Sequence, residues 1–266
     1  MDPLLRHFDL TEHPFSLSPD PRFFYIGPVH KGIIAKTDYV VRRRQGLTVI
    51  FGDIGLGKTT LARILLDRLR EDHLVTFVTN PNFKSEMHMT KAISAEFGIA
   101  AKRSQHAQLM AIKEYLTGLY ANEKNPVLIL DEAQLLKGQQ FEVLRQLSNF
   151  ETNDTKLLQI VLVGQLELRN KLKLKRALTS RIAVYSSLQP LAPHEMADMI
   201  AFRLTVAGGN SGIFSDQAME RIFEHSKGIP REAIKLCAVC MEFGAGKRVK
   251  QITPEIVDAA APEVKL

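Results

Sequence analysis

The 266-residue chain holds only two cysteines, too few for a disulfide framework. Cys237 and Cys240 form a lone C-x-x-C. A zinc site would need a second pair or suitably spaced histidines, and none lies nearby. A thioredoxin-like redox pair follows a strand, whereas REAIKLCAVCMEF reads as helix. The pair is therefore expected in a buried helix core, in a reducing compartment. Long apolar runs are also missing. Nothing approaches the ~18 residues that span a bilayer, so no membrane insertion is expected. The start, MDPLLRHFDLTEHPF, lacks an apolar stretch and carries acids, unlike a secretory leader. A cytoplasmic protein is the expectation.

What is present is ordinary in bulk: 45% hydrophobic and 24% charged residues, at a length for one large domain or a core with a small appendage. The net charge of +6 is unevenly placed. From residue 191 onward there are 9 Lys/Arg and 10 Asp/Glu, while the first 190 residues carry 26 and 19. A modest positive field on the larger part suits a polyanionic partner, and a solvated surface explains such an excess nearly as often.

Four of the twelve prolines fall in HPFSLSPDPRFFYIGP (13–28). Because proline restricts itself and its predecessor, residues 1–35 are expected as an ordered, extended Pro/aromatic arm without helix, packing on the core. Residues 36–190 then alternate. Strands are predicted at 47–51, 74–78, 126–131, 157–163 and 182–188, with helices at 58–70, 84–97, 104–120, near 138–149 and near 166–179. That alternation predicts an α/β core with a five-stranded parallel sheet between helices. After Pro190 the strands stop, and 191–266 read as a small all-α lid. Its helices are PHEMADMIAFRLTVAG, SDQAMERIFEHSKG, PREAIKLCAVCMEFGAG and TPEIVDAA. Ser215 is a candidate N-cap, and Thr253 with Pro254 gives a second.

Gly52-Asp53-Ile54-Gly55-Leu56-Gly57-Lys58-Thr59 matches G-x-x-x-x-G-K-[ST], followed by Thr60. The glycines let backbone N–H groups curl around phosphate oxygens, Lys58 supplies a charge to the β- and γ-phosphates, and the Thr59 hydroxyl ligates Mg²⁺. A predicted strand before the loop and helix after it meet the context this motif requires. The strand PVLILDEAQ ends at Asp131, where a carboxylate can hold Mg²⁺ through water, and Glu132 follows in position to polarise an attacking water. Two adjacent carboxylates at a strand end could instead be an exposed turn. No guanine-reading N-K-x-D is apparent.

With these motifs the chain resembles the AAA+ family, and within it the ExeA-like group that includes the transposition ATPases MuB and TnsC. The resemblance covers nearly the whole chain, through FDLTEHPFSLSPDPRFFY, the P-loop, LILDEAQ, LQIVLVGQLEL, LTSRIAV and KGIPREA. It implies an AAA+ fold with ATP and Mg²⁺ as cofactors. It places Gln165 as sensor 1 facing the γ-phosphate, where many members carry Asn. Arg181 matches the arginine finger that reaches a neighbouring subunit's site, with Arg176 as the fallback, and Arg231 resembles sensor 2 in the lid. A finger in trans makes the isolated monomer a poor ATPase and implies head-to-tail self-assembly into a ring or filament. Pro14, Phe15 and Tyr25 of the arm are candidates to help hold adenine, or simply cover an edge of the core.

Lys84, at a helix start, and Lys102, Arg103 and Ser104, in a loop, resemble the residues by which TnsC-like ATPases track a DNA backbone. Such contacts are salt-dependent and largely blind to sequence. Two further basic runs are Arg42-Arg43-Arg44 and Lys171-Leu172-Lys173-Leu174-Lys175-Arg176, the second read as a solvated helix. The resulting expectation is an ATP-dependent regulator of transposition that binds duplex DNA and engages a transposase. The alternative is an ExeA-type ATPase assisting assembly of a secretion apparatus in the envelope. Full-length secretion ATPases of that type continue into a membrane helix and a peptidoglycan-binding domain, and the absence of both before Leu266 favours DNA. A third class, a nucleotide-gated scaffold, requires Glu132 or Arg181 to be badly placed.

Overall fold

The computed structural model describes residues 2–18 and 20–264. Met1, Pro19, Lys265 and Leu266, which belong to the expected arm and lid, lie outside the described residues. In chain order the first elements are α1 (Pro3–His7), α2 (Pro28–Arg42), β1 (Leu47–Phe51), α3 (Lys58–Arg70) and β2 (Leu74–Val78). Next come α4 (Glu86–Glu96), α5 (Gln105–Ala121), β3 (Pro126–Leu130), α6 (Gln140–Ser148) and β4 (Gln159–Gly164). Then follow α7 (Leu166–Lys173), α8 (Arg176–Thr179), β5 (Ile182–Ser187), α9 (Pro193–Val206), α10 (Asp216–Ser226), α11 (Pro230–Gly246) and α12 (Pro254–Ala260).

The chain divides into two units, one of Pro28–Asp53 with Leu61–Leu188, the other of Met1–Gly27, Ile54–Thr60 and Gln189–Leu266. The first is the α/β unit. Its five strands are all parallel, in the order β2-β3-β4-β1-β5. Parallel strands need crossover helices, which cover both faces, so the strands read as continuous apolar runs. Accordingly β1, β3 and β4 are buried along their whole lengths. One face, with Val49, Leu128, Leu130 and Leu162, packs into a cluster with Met89, Ile93, Ile112, Leu116, Phe141 and Leu144. The alternate positions Ile50, Ile129, Val161 and Val163 are equally inaccessible to water.

The second unit is helical. Helices α9 to α12 pack around Met196, Ile200, Leu204, Phe214, Ile222, Leu236, Cys237 and Cys240. Both cysteines are free and buried within α11, as the lone C-x-x-C on a helix predicted. Burial pushes the Cys237 thiol far up and Cys240 up to about 12, so neither is a ready nucleophile. Ser215 accepts a hydrogen bond from the amide of Ala218, the predicted N-cap. Thr253 occupies the N-cap position of α12, but its hydroxyl does not cap the helix.

Three expectations are corrected. Residues 1–35 are not free of helix, because α1 and the first turns of α2 lie there. Pro3 and Pro28 each sit at the first turn, where a missing N–H costs nothing, and Asp2 caps α1 through the amide of Leu4. The arm's apolar residues Leu5, Phe8, Leu10, Phe15 and Phe23 join the core of the helical unit, not that of the sheet. Lastly, the helix expected over 166–179 breaks at Leu174 and Lys175 into α7 and α8. Leu172 and Leu178, six positions apart, point about 120° apart on a straight helix, and the break lets both be buried.

Candidate nucleotide-binding and hydrolysis site

In the α/β unit, β1 ends with Phe51 opposite Gly164, and β3 ends with Leu130 opposite Leu162. Gly52, Asp131 and Gln165 therefore all leave the sheet at its carboxyl edge, where open α/β sheets bind ligands. The amide of Gly52 donates to the carbonyl of Gly164 at 3.3 Å. The amide of Asp131 donates to the carbonyl of Val78 at 2.9 Å, and one of its carboxylate oxygens accepts from the amide of Glu132 at 2.8 Å. Asp131 is only 1% exposed, which disposes of the exposed-turn reading. Glu132 stands at φ 52°, the left-handed region, as the chain leaves β3 for a short 3-10 turn over Ala133–Leu135.

Gln134, on that turn, donates from its amide to a carboxylate oxygen of Glu132 and accepts from the backbone amide of Gln165 at 2.9 Å. The Lys171 ammonium, on α7, donates to the carbonyls of Gln134 and Leu136. Lys171 is thus tied to the loop after β3 instead of lying on a solvated face, a correction to the periodicity reading of its basic run. Neither Gln134 nor Lys171 is singled out by sequence, since each borrows its significance from a loop far away in the chain.

The phosphate loop belongs to the helical unit from Ile54 to Thr60. Gly55 and Gly57 have φ of +85° and +84°, which side chains rarely adopt. A Cβ on Gly55 would lie 2.8 Å from Cγ2 of Ile229 and 3.2 Å from Cβ of Arg231. One on Gly57 would lie 2.8 Å from the ring of Phe24. Leu56 is buried, Asp53 and Ile54 are exposed, and Lys58 opens α3 with its side chain largely buried. Thr59 and Thr60 are half-buried in the first turn, where helix N-termini favour anions. Arg231, in the first turn of α11, donates its backbone amide to the carbonyl of Gly55 at 3.2 Å while its side chain is exposed.

The adenine candidates are in part corrected. Phe15 packs edge-on against Phe214 at 5.7 Å, and the carbonyl of Pro14 accepts from the Arg203 guanidinium at 2.7 Å, so both serve the helical core. The Tyr25 hydroxyl donates to Asp198 at 3.2 Å. Phe24, which the sequence reading passed over, is the arm's ring beside the loop at Gly57. Adjacent aromatics in PRFFY offer no signal to tell it from buried Phe23.

The candidate finger Arg181 immediately precedes β5, whose first residue, Ile182, lies opposite Leu47, the first residue of β1. It therefore stands at the amino edge of the sheet, about 20 Å from Gly52 at ~3.3 Å per residue. Its guanidinium donates to Oδ1 of Asn149 at 2.7 Å and to the carbonyl of Ala177. Arg176, the fallback, is exposed at the start of α8.

Lys84, Lys102, Arg103 and Ser104 are all exposed. Thr90 bonds Gln105, Gln108 bonds Ser94, and Phe97 packs on Tyr115, contacts that ascend both α4 and α5 together. The two helices therefore run in the same direction, bringing Lys84 and the Lys102–Ser104 loop to one end of the pair. Ser85 caps α4 through the amide of His88, and Ser104 caps α5 through the amide of Ala107, so the Ser104 hydroxyl already has a helix to serve. By contrast Arg42-Arg43-Arg44 is used internally. Arg42 pairs with Asp38 and Asp72, Arg43 stacks on Tyr39, and Arg44 donates to the carbonyl of Lys124 over the Tyr120 ring.

Oxygen donors such as the Asp131 carboxylate and the Thr59 hydroxyl suit Mg²⁺. Among the described residues no group of three or more His, Cys, Asp or Glu side chains could hold a metal. No helix among the described residues is long and apolar enough to cross a membrane.

Residues 41–172 match the family model described as an AAA domain. General secretion pathway protein A of Aeromonas hydrophila is 35% identical over 263 residues, which cover 97% of this chain and 48% of that protein. The chain thus spans about half the length of this relative. The Aeropyrum pernix ORC2 protein superposes with a TM-score of 0.68 at 17% identity, covering 96% of this chain and 72% of the other. Drosophila ORC bound to DNA superposes with a TM-score of 0.70 at 16% identity, covering 98% and 66%. At such identities the last two speak for the fold alone. The family match and the relative support an AAA+ protein of the ExeA-like group, and the shared architecture supports its fold.

Proposed function

We propose that the chain binds ATP with Mg²⁺, hydrolyses it, and assembles head-to-tail with copies of itself in the nucleotide-bound state. The observation that carries this reading is the buried Asp131 followed by Glu132 on the same sheet edge from which Gly52 opens the phosphate loop. The loop amides, Lys58 and Arg231 bind phosphate, Thr59 and Asp131 hold Mg²⁺, and Gln165 senses the γ-phosphate. Mg²⁺, when bound, neutralises charge on the phosphates. Glu132 accepts the proton of the attacking water. Arg181, remote from its own Gly52, acts on the site of a neighbouring subunit.

The client of this cycle is duplex DNA, in the role of a transposition target regulator that engages a transposase. Two capped helix N-termini with Lys84, Lys102 and Arg103 at one end of the α4–α5 pair support it, since amide dipoles and cations suit a phosphate backbone. The second reading, an ATPase assisting a secretion apparatus in the envelope, is favoured by the 35% identity to general secretion pathway protein A. Binding to labelled random-sequence duplex DNA, with ATP, a non-hydrolysable analogue or no nucleotide across a salt series, separates them. Nucleotide-dependent binding that weakens steeply with salt and with Lys84→Ala supports the first. Absence of binding in every nucleotide state at low salt removes it and leaves the envelope role.

A further inference from the structure

We propose that Gln134 is a positioning residue for hydrolysis, which holds the Glu132 carboxylate in place by clamping it to the first residue beyond β4. The inference deepens the reading above and rests on Glu132 being the group that polarises water. A glutamate side chain has three rotatable bonds, and one that must address a water at a fixed point loses rate whenever it swings away. Glu132 follows β3 in a left-handed conformation, so the sheet fixes its backbone but not its carboxylate.

Gln134 supplies what is missing. Its side chain is largely buried, and its two polar atoms face opposite ways, the amide to Glu132 and the carbonyl oxygen to the backbone amide of Gln165 at 2.9 Å. A side-chain amide donates to a carboxylate through its nitrogen while its oxygen accepts from an N–H. A Cβ on Gly164 would lie 2.8 Å from the Gln134 oxygen and 3.2 Å from its backbone nitrogen, so glycine is required there for the clamp to close. The Lys171 ammonium secures the turn from the other side through the Gln134 and Leu136 carbonyls. The same side chain thereby joins Glu132 to the Gln165 position, so a shift of the residue facing the γ-phosphate is felt by the residue facing the water.

The test uses the full chain at protein concentrations where it hydrolyses ATP, with kcat, KM and the Kd of a fluorescent ATP analogue measured together. Gln134→Met keeps the length and removes both hydrogen bonds. It is expected to lower kcat about 10- to 100-fold while Kd changes less than about twofold. Gln134→His, which still donates to a carboxylate, is expected to recover part of the loss, a rescue that a merely structural role would not give. Lys171→Met leaves the clamp in place and serves if the first variant fails to fold; kcat is expected to fall several-fold at unchanged Kd. Glu132→Gln is the reference. If it still turns ATP over, the reading of Glu132 fails, whatever the clamp does. If it is inactive but Gln134→Met and Lys171→Met keep the parent kcat, or raise it, the positioning role is overturned.

Discussion

The backbone amide of Arg231 donates to the carbonyl of Gly55 at 3.2 Å, joining the first turn of α11 to the phosphate loop by main chain alone. Because no side chain carries that bond, Arg231→Ala leaves it intact and isolates the guanidinium. ATP-analogue Kd is expected to rise about 3- to 10-fold with an unchanged Tm, a loss of roughly 1 kcal/mol. Gly55→Ala acts on the loop itself, through a clash with Ile229 and a φ of +85°. Its Kd is expected to rise at least ~10-fold. Adding Ile229→Ala relieves the clash but not the left-handed cost of ~1–2 kcal/mol, so recovery is partial. Full recovery in the double variant contradicts the backbone argument.

Arg181 lies at the edge of the sheet opposite Gly52, so the proposed role in hydrolysis requires another subunit. Arg181→Ala is expected to bind ATP normally and to lose ~100-fold or more in kcat. Mixed with Glu132→Gln, which is inactive for a different reason, it is expected to recover measurable turnover, because some interfaces then pair an intact Glu132 with an intact Arg181. No recovery at any mixing ratio removes the finger in trans. A Tm comparison guards against the loss of the Asn149 and Ala177 bonds.

Arg203 fastens the arm to the helical unit. Its buried guanidinium donates to the carbonyls of Pro14 at 2.7 Å and of Phe23 and Ser16 at 3.0 Å, and lies 5.2 Å from the centre of the Phe23 ring. Burial pulls its pKa down to about 10, so it remains charged at neutral pH. Arg203→Met leaves three carbonyls without this donor and is expected to cost about 3 kcal/mol. A lower Tm and faster proteolytic cleavage within residues 12–24 are the readouts. Arg203→Lys is expected to rescue little, because one ammonium cannot span the fork.

His73 has neither ring nitrogen hydrogen-bonded among the described residues. Burial, aided by the charge of Arg42 and opposed by Asp72 and Asp38, lowers its pKa below the ordinary 6.5. The unfolded chain therefore takes up this proton more readily than the folded one, and stability falls as pH drops below about 6.5. Above that pH the group contributes no slope. Thermal unfolding between pH 7.5 and 5.5 is expected to show a smaller fall for His73→Leu than for the parent. An identical fall in both removes His73 as a source.

Much of the α/β unit was legible because a parallel strand covered on both faces is a short apolar run wherever it occurs. The segments 47–51, 74–78 and 58–70 were predicted with the bounds they have in the structure. Helix α2 was equally legible in its stripe of Ile33, Ile34, Thr37, Val40 and Val41, yet the preceding prolines drew the reading toward extended chain. A proline at the first turn starts a helix as readily as a proline inside one stops it, and only the position decides which.

The amino-acid sequence by itself determined the parts whose chemistry is local: the phosphate loop, the Asp131-Glu132 pair at a strand end, the helical cysteines, and the alternation that builds the sheet. These follow from neighbouring residues, whose spacing the backbone cannot alter. Tertiary structure alone decided that Phe24 lies beside Gly57, that Lys171 leaves its solvated face for the loop after β3, and that Gln134 spans from Glu132 to Gln165. It also decided that α4 and α5 run in the same direction, which brings Lys84 and the Lys102–Ser104 loop to one end. Each of these pairs residues 15 to 40 positions apart, and their meeting is set by strand order and helix packing, which no local pattern encodes.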